Sequence, residues 1–175
     1  APTGSVTISG TTTQGQTLTA ANTIADADGL GTIYYQWKRG DSAISGATSS
    51  TYSLTQADVG STISVTASYT DGEGTAETVS SSETSTIANI NDLPTGSVTI
   101  SGTTTQGQTL TAANTLADAD GLGTISYQWK RDGENISDAT SSTYVLTQAD
   151  VGSTISVTAS YTDMGGPAET VSSSD

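Results

Sequence analysis

Neither cysteine nor histidine occurs anywhere in the 175 residues. Disulfide staples, thiolate zinc sites, imidazole bases and thiol nucleophiles are thereby excluded, and with them most catalytic chemistry. Basic residues are nearly absent too: only Lys38, Arg39, Lys130 and Arg131 face 18 carboxylates, a formal charge of −14. Such a surface repels nucleic acid and anionic membranes, so cations are the expected partners. No stretch approaches the roughly 20 apolar residues that cross a bilayer, and no basic-then-apolar leader is present, so no direct membrane insertion is expected. Aromatics are few and Ser and Thr abundant, a composition that borders on disorder, yet the apolar residues are too regularly spaced for a disordered chain.

What is present is a duplication. Residues 1–83 align with 93–175 at a spacing of 92 (94 − 2, from Pro2 and Pro94) without a gap, and 13 of those 83 positions differ. A period this long, with turn signals inside each copy, indicates whole domains in tandem. We expect repeat 1 over 1–86, a linker over 87–93 and repeat 2 over 94–175. The sequence opens on a linker proline and stops at Asp175, the counterpart of Glu83, so further copies are expected on either side in a longer parent protein.

Within one copy, Ser5-Val6-Thr7-Ile8-Ser9 alternates polar and apolar as a half-buried strand does, and Gln16-Thr17-Leu18-Thr19-Ala20 resumes the pattern after a polar turn. Ile33, Tyr35 and Trp37 share the buried face of a long third strand. Arg39 to Ser45 reads as a turn, Ser50 to Leu54 as a strand, and Ile63, Val65, Ala67 and Tyr69 as the inward side of another. Asp71-Gly72-Glu73-Gly74 is a glycine-rich hairpin leading to a return strand over about 76–80. No window has helical periodicity. The class is all-β, a sandwich of about seven short strands per copy.

Tyr35-Gln36-Trp37, followed by Leu54, Asp58, Gly60, Ile63, Val65, Ala67, Tyr69 and Gly74, resembles the immunoglobulin-like pattern. Leu18 and Val65 stand at its two cysteine positions, so the resemblance implies two tandem immunoglobulin-like β-sandwich domains without disulfides. Ile63 stands where a corner tyrosine would be, and one extra residue separates it from Asp58. The phrases Asp26-Ala27-Asp28-Gly29-Leu30-Gly31-Thr32, Leu54-Thr55-Gln56-Ala57-Asp58-Val59-Gly60 and Ile87-Ala88-Asn89-Ile90-Asn91-Asp92 are similar to tandem repeats of giant bacterial surface adhesins, many of them exported by type I secretion with RTX-type calcium-binding ends. That resemblance covers the whole chain and implies an extracellular, cell-surface location and neighbouring repeats as partners, with a host or surface ligand bound by other domains.

In an immunoglobulin-like topology the B–C and F–G loops lie at the end where strand A enters. Asn91 and Asp92 should then approach Asp118, Asp120 and Asp163, and calcium, which takes six to eight oxygen ligands, suits such a set. The arrangement also resembles cadherin junctions, with a shorter acidic linker and so fewer ions. Asp58 is expected to contribute from the first copy. Asp26, Asp28 and Asp71 should form a reduced version of the site, and Glu73, replaced by Gly165 in the second copy, is not counted as a ligand. The competing reading is that Asp-x-Asp-Gly and Asn-Asp are turn residues bonding their own backbone.

Other motifs carry less. Arg39-Gly40-Asp41 spells an integrin-recognised tripeptide, but copy two reads Arg131-Asp132-Gly133, as ordinary hairpin residues would. Asn135-Ile136-Ser137 fits a glycosylation sequon. Trp37 and Trp129 could stack sugars, although alternation places them in the core. Asp26 and Asp28, one residue apart on a turn, make a poor acid–base pair, and no enzyme is expected. The differences cluster at 40–43, 46, 72–73 and 75, in turns, while inferred core positions stay unchanged. The expected function is therefore a structural extender, or spacer, repeat of a secreted bacterial adhesin with calcium-stiffened joints. The alternative is a carbohydrate- or receptor-binding module.

Overall fold

The structure, a computed structural model, describes residues 1–163 and 166–174. It divides into two units, Ala1–Ile90 and Asn91–Asp175. Among the described residues no helix is long and apolar enough to cross a membrane.

Unit 1 contains β1 (Val6–Ser9), β2 (Thr17–Asn22), β3 (Tyr34–Arg39), β4 (Ser42–Ala43), β5 (Thr51–Ser53), β6 (Ile63–Thr70) and β7 (Ala76–Ser80). They pair antiparallel into two sheets, ordered β1-β2-β5 and β4-β3-β6-β7. These are the A-B-E and C′-C-F-G orders of an immunoglobulin-like sandwich whose short fourth strand has joined the C-F-G sheet. Unit 2 repeats the plan with β8 (Val98–Ser101), β9 (Thr109–Asn114), β10 (Ser126–Arg131), β11 (Glu134–Asn135), β12 (Thr143–Val145), β13 (Ile155–Thr162) and β14 (Ala168–Ser172), ordered β8-β9-β12 and β11-β10-β13-β14.

Period-2 alternation explains why these segments become strands. Along β6, Ile63, Val65, Ala67 and Tyr69 are all buried while the residues between them are not. Leu18 and Val65, at the positions of the missing cysteines, have no exposed surface, and with Trp37 and Ile63 they fill the space between the sheets. Trp37 stacks on Tyr52 of the opposite sheet at 5.7 Å between ring centres, and its Nε1 donates to the Ser49 carbonyl at 2.8 Å. The indole thus joins both sheets and leaves no polar atom unpaired. Trp129, Tyr144 and Ser141 repeat the arrangement.

Three details depart from expectation. The third strand starts at Tyr34, one residue later than the pattern suggested, and only Trp37 is fully buried on it. Tyr35 is half-buried, its hydroxyl accepting from Asn22 Nδ2 at 2.6 Å. The supposed turn after Arg39 contains β4, which is held to β3 by Gln36 Nε2 donating to the carbonyls of Trp37 and Ile44 at 2.9 and 2.8 Å. Finally, the core is not wholly invariant between copies, because Ile24 and its counterpart Leu116 are both buried. Their volumes match, so the exchange keeps the packing.

Residues 87–93 are divided between the units. Ile87 is buried in the core of unit 1, with Ala88 bridged to Thr13, whereas Asn91 and Asp92 bond to unit 2.

Candidate metal centre

In each unit the loop between the second and third strands meets the hairpin joining the last two. Gly31 makes this closeness possible, since a Cβ there would strike the Thr70 carbonyl oxygen; Gly123 stands in the same relation to Thr162. Gly72 N–H donates to the Asp28 carbonyl at 2.9 Å, tying loop to hairpin.

Asp26 is positioned by two local bonds. Tyr69 Oη donates to its Oδ2 at 2.7 Å, and the Asp28 N–H donates to its Oδ1 at 3.1 Å. The Tyr69 bond first, and then the Asp28 N–H, hold its carboxyl below the ordinary range, while burial and the same Asp26 bond push the Tyr69 hydroxyl up. Asp71 shapes the hairpin, its Oδ1 accepting from Thr75 and Glu73 N–H at 2.7 and 3.0 Å. Oxygens of Asp26, Asp71 and Glu77 lie within 4.8 Å of one another. Asp28 is not among these three, and its side chain is half exposed.

In unit 2 the grouped carboxylates are Asp118, Asp120 and Asp163, again within 4.8 Å. Asp120 and Asp163 are buried, at 5% and 7% exposure. Tyr161 Oη donates to Asp118 Oδ2 at 2.6 Å, the Asp120 N–H donates to Asp118 Oδ1 at 2.9 Å, and the Gly166 N–H donates to Asp163 Oδ1. The segment entering unit 2 reaches the same place. Asp92 takes part through its backbone, the N–H donating to Asp120 Oδ2 at 2.6 Å, and Asn91 Nδ2 donates to Glu169 Oε1 at 2.8 Å.

Asn91 Oδ1 is buried and has no hydrogen-bond partner. A Cβ on Gly166 would strike both this oxygen and Asp163 Oδ2, so the two oxygens pack together against a backbone that only a glycine lets come so close. The donor set is all oxygen, mostly carboxylate, which suits a hard cation. Two oxygens on one calcium stand at most about 5 Å apart, a limit the spacing of the three carboxylates meets.

Asp58 lies in neither group. Its carboxylate is fully buried and accepts from Arg39 Nε at 2.8 Å, Tyr52 Oη at 2.9 Å, and the Thr55 N–H and Oγ1 at 2.7 and 2.9 Å. Its lone pairs are taken, so, contrary to the ligand role expected from the sequence, it anchors the fold of unit 1. Asp150 is held the same way by Arg131, Tyr144 and Thr147. The Arg39 guanidinium of the Arg39-Gly40-Asp41 turn makes its bond to Asp58 through Nε and Nη2. Gly165, the counterpart of Glu73, lies outside the described residues.

Two participants were missed by sequence reasoning, Glu77 with its counterpart Glu169, and the hydroxyls of Tyr69 and Tyr161. The hairpin register carries the signal, since it sets Tyr69 opposite Glu77 and Tyr161 opposite Glu169.

No protein-family model and no curated protein matches the chain. Among solved structures it is similar to three N-terminal domains of the Highly Immunogenic Outer Capsid protein (Hoc) of bacteriophage RB49, at 16% identity and a TM-score of 0.34, over 97% of this chain and 58% of that one. It is also similar to the tandem Ig repeats of Dlar, at 12% identity and a TM-score of 0.27, over 99% of this chain and 93% of that one. The strand orders and pairings, independently of these likenesses, make the chain two tandem immunoglobulin-like domains.

Proposed function

We propose that the chain consists of extender repeats of a secreted bacterial surface adhesin, which hold a distal binding domain away from the cell, and that calcium binds the acidic pole of each repeat. The carrying observation for the extender role is that both copies turn their binding-capable side chains inward. Trp37 and Trp129 have no exposed surface. Tyr34, at 66% exposure the one strongly exposed aromatic among the described residues, is replaced by Ser126 in the second copy. A ligand face kept for use would be repeated with the fold, and this one is not. What each copy does repeat is a rigid length, about 26 Å along its eight-residue sixth strand.

Calcium at Asp118, Asp120 and Asp163, with Asn91 Oδ1, is supported by their spacing and by that unpartnered amide oxygen. Bound there, it would supply charge neutralisation and fasten the entering segment Asn91–Asp92 to unit 2. Folded-state binding would also raise stability by mass action. An environment rich in calcium, outside the cell, would keep the site filled.

Thermal melting of the full chain in calcium, in magnesium and in chelator tests the metal, with Asp118→Ala/Asp120→Ala as the control. Calcium should raise the melting temperature of unit 2 in the native chain and leave that variant unmoved. No response in the native chain sinks the calcium site and leaves the extender reading standing. A glycan array tests the latter independently, since an extender binds nothing on it and reproducible capture of one glycan class would overturn it.

A further inference from the structure

Five of the 13 differences between the copies fall in the hairpin after the third strand, and one of them adds a chemical group. Unit 1 reads Ser42-Ala43-Ile44-Ser45 there and unit 2 reads Glu134-Asn135-Ile136-Ser137. Of the five asparagines in the chain, Asn135 alone has a hydroxyl residue two places after it.

The fold turns this triplet outward. β11, which ends on Asn135, is the outer strand of its sheet and pairs only with β10. Ile136 packs against the core of unit 2, its N–H donating to the Trp129 carbonyl at 2.9 Å and its carbonyl accepting from Gln128 Nε2 at 2.8 Å. Alternation then sends its two neighbours the other way, and both Asn135 and Ser137 are exposed. The Ser137 hydroxyl donates to Asp138 Oδ2 at 3.2 Å. Elsewhere the asparagine amides are committed: Asn22 and Asn114 donate to tyrosine hydroxyls at 2.6 Å, and Asn91 donates to Glu169. Among the described residues no such bond occupies the Asn135 side chain.

We infer that Asn135 is an acceptor for an N-linked sugar, delivered from a donor activated as a diphosphate ester at its anomeric carbon. The bond from Nδ2 to the anomeric carbon forms as the bond from that carbon to the diphosphate oxygen breaks. The diphosphate leaves with the electron pair, the amide proton passes to a base of the transferase, and nothing is oxidised or reduced. Enzymes of this kind read asparagine together with a hydroxyl two residues on, on a protein surface. Here both groups stand on one exposed face, so a transferase reaches them without opening the sandwich. A bulky sugar at this place would also shield the free edge of β11 from the addition of another strand. Neither the extender role nor calcium is needed for the inference.

The folded full chain is offered to two asparagine-directed transferases, a soluble one with uridine diphosphate glucose and a membrane-bound one with a lipid-diphosphate oligosaccharide. Both are first shown to modify an unrelated peptide bearing the same triplet. At least one should add a single sugar unit per chain, read as a mass gain of the intact protein and mapped to Asn135, and the arm that responds identifies the carrier. Asn135→Gln and Ser137→Ala should each abolish the gain, whereas Ser137→Thr should keep it. Ala43→Asn gives unit 1 the same triplet on the same backbone, and should double the gain. The inference is overturned if neither enzyme modifies the chain, if the sugar maps to another residue, or if the gain survives Ser137→Ala.

Discussion

Arg39 grips Asp58 through two nitrogens, Nε at 2.8 Å and Nη2 at 2.7 Å, both on one oxygen of a carboxylate that has no exposed surface. The pair links β3 to the turn before β6, and Tyr52 and Thr55 complete the coordination of the other oxygen. Removing one member leaves the rest of a buried polar network without its centre. Asp58→Ala should cost about 3 kcal/mol in urea unfolding of unit 1. A loss below about 0.5 kcal/mol would mean that the pair behaves like a solvent-exposed ion pair.

Acid and alkali should each destabilise the fold, for opposite reasons. Burial pushes the Asp58 and Asp150 carboxyls up, but the threonine N–H and hydroxyl, the arginine and the tyrosine outweigh it, and both end below the ordinary range. Their contribution is complete above the unfolded value of about 3.9 and fades as pH falls below it through the folded values. Tyr69 and Tyr161 shift upward, through burial first and the aspartate bond second. Their contribution is complete below about pH 10 and is lost as pH rises through the folded values. Melting temperature against pH should show a plateau between these limits. Tyr69→Phe/Tyr161→Phe should flatten the alkaline limb, and an unchanged limb would contradict the assignment.

Trp129 fills the centre of unit 2 and bonds to Ser141. Trp129→Ala should cost about 3–5 kcal/mol, with Trp129→Phe losing less because most of the volume remains. Chemical denaturation followed by circular dichroism measures both, and equal losses would show that the indole N–H bond, not the volume, dominates.

Asp138 holds a left-handed backbone, φ 59°, at the position where unit 1 has Gly46 with φ 73°. That conformation crowds the Cβ of any non-glycine residue. Asp138→Gly should therefore stabilise unit 2 by about 0.5–1 kcal/mol. A net loss would show that the bond from Ser137 Oγ to its carboxylate outweighs the strain.

The architecture was legible because its causes are local. Alternation at Ile63, Val65, Ala67 and Tyr69 names a strand and its buried face without reference to anything distant. The acidic pole was legible in part for the same reason, since Asp118 and Asp120 share one turn and Asp163 opens a hairpin. Glu169 and Tyr161 were not, because their roles come from cross-strand register, which a list of turn residues does not contain. Asp58 misled because its type and loop position suit a metal ligand, while two of the donors that satisfy it, Arg39 and Tyr52, sit on strands 19 and 6 residues before it. Residues 87–88 misled differently: set between two domains they read as a connector, and only pairing with 12–14 and 59–61 ties them to unit 1 and puts Ile87 in its core.

That last pairing has a temporal meaning. A polypeptide leaves the ribosome from its N-terminus at about 5–20 residues per second, and the segment that seals unit 1 is among the last of its ninety residues to emerge. Until Ile87 is free, the growing domain keeps an unsealed mouth. The order of emergence therefore makes closure the final step in building unit 1, after both of its sheets are already available to pair.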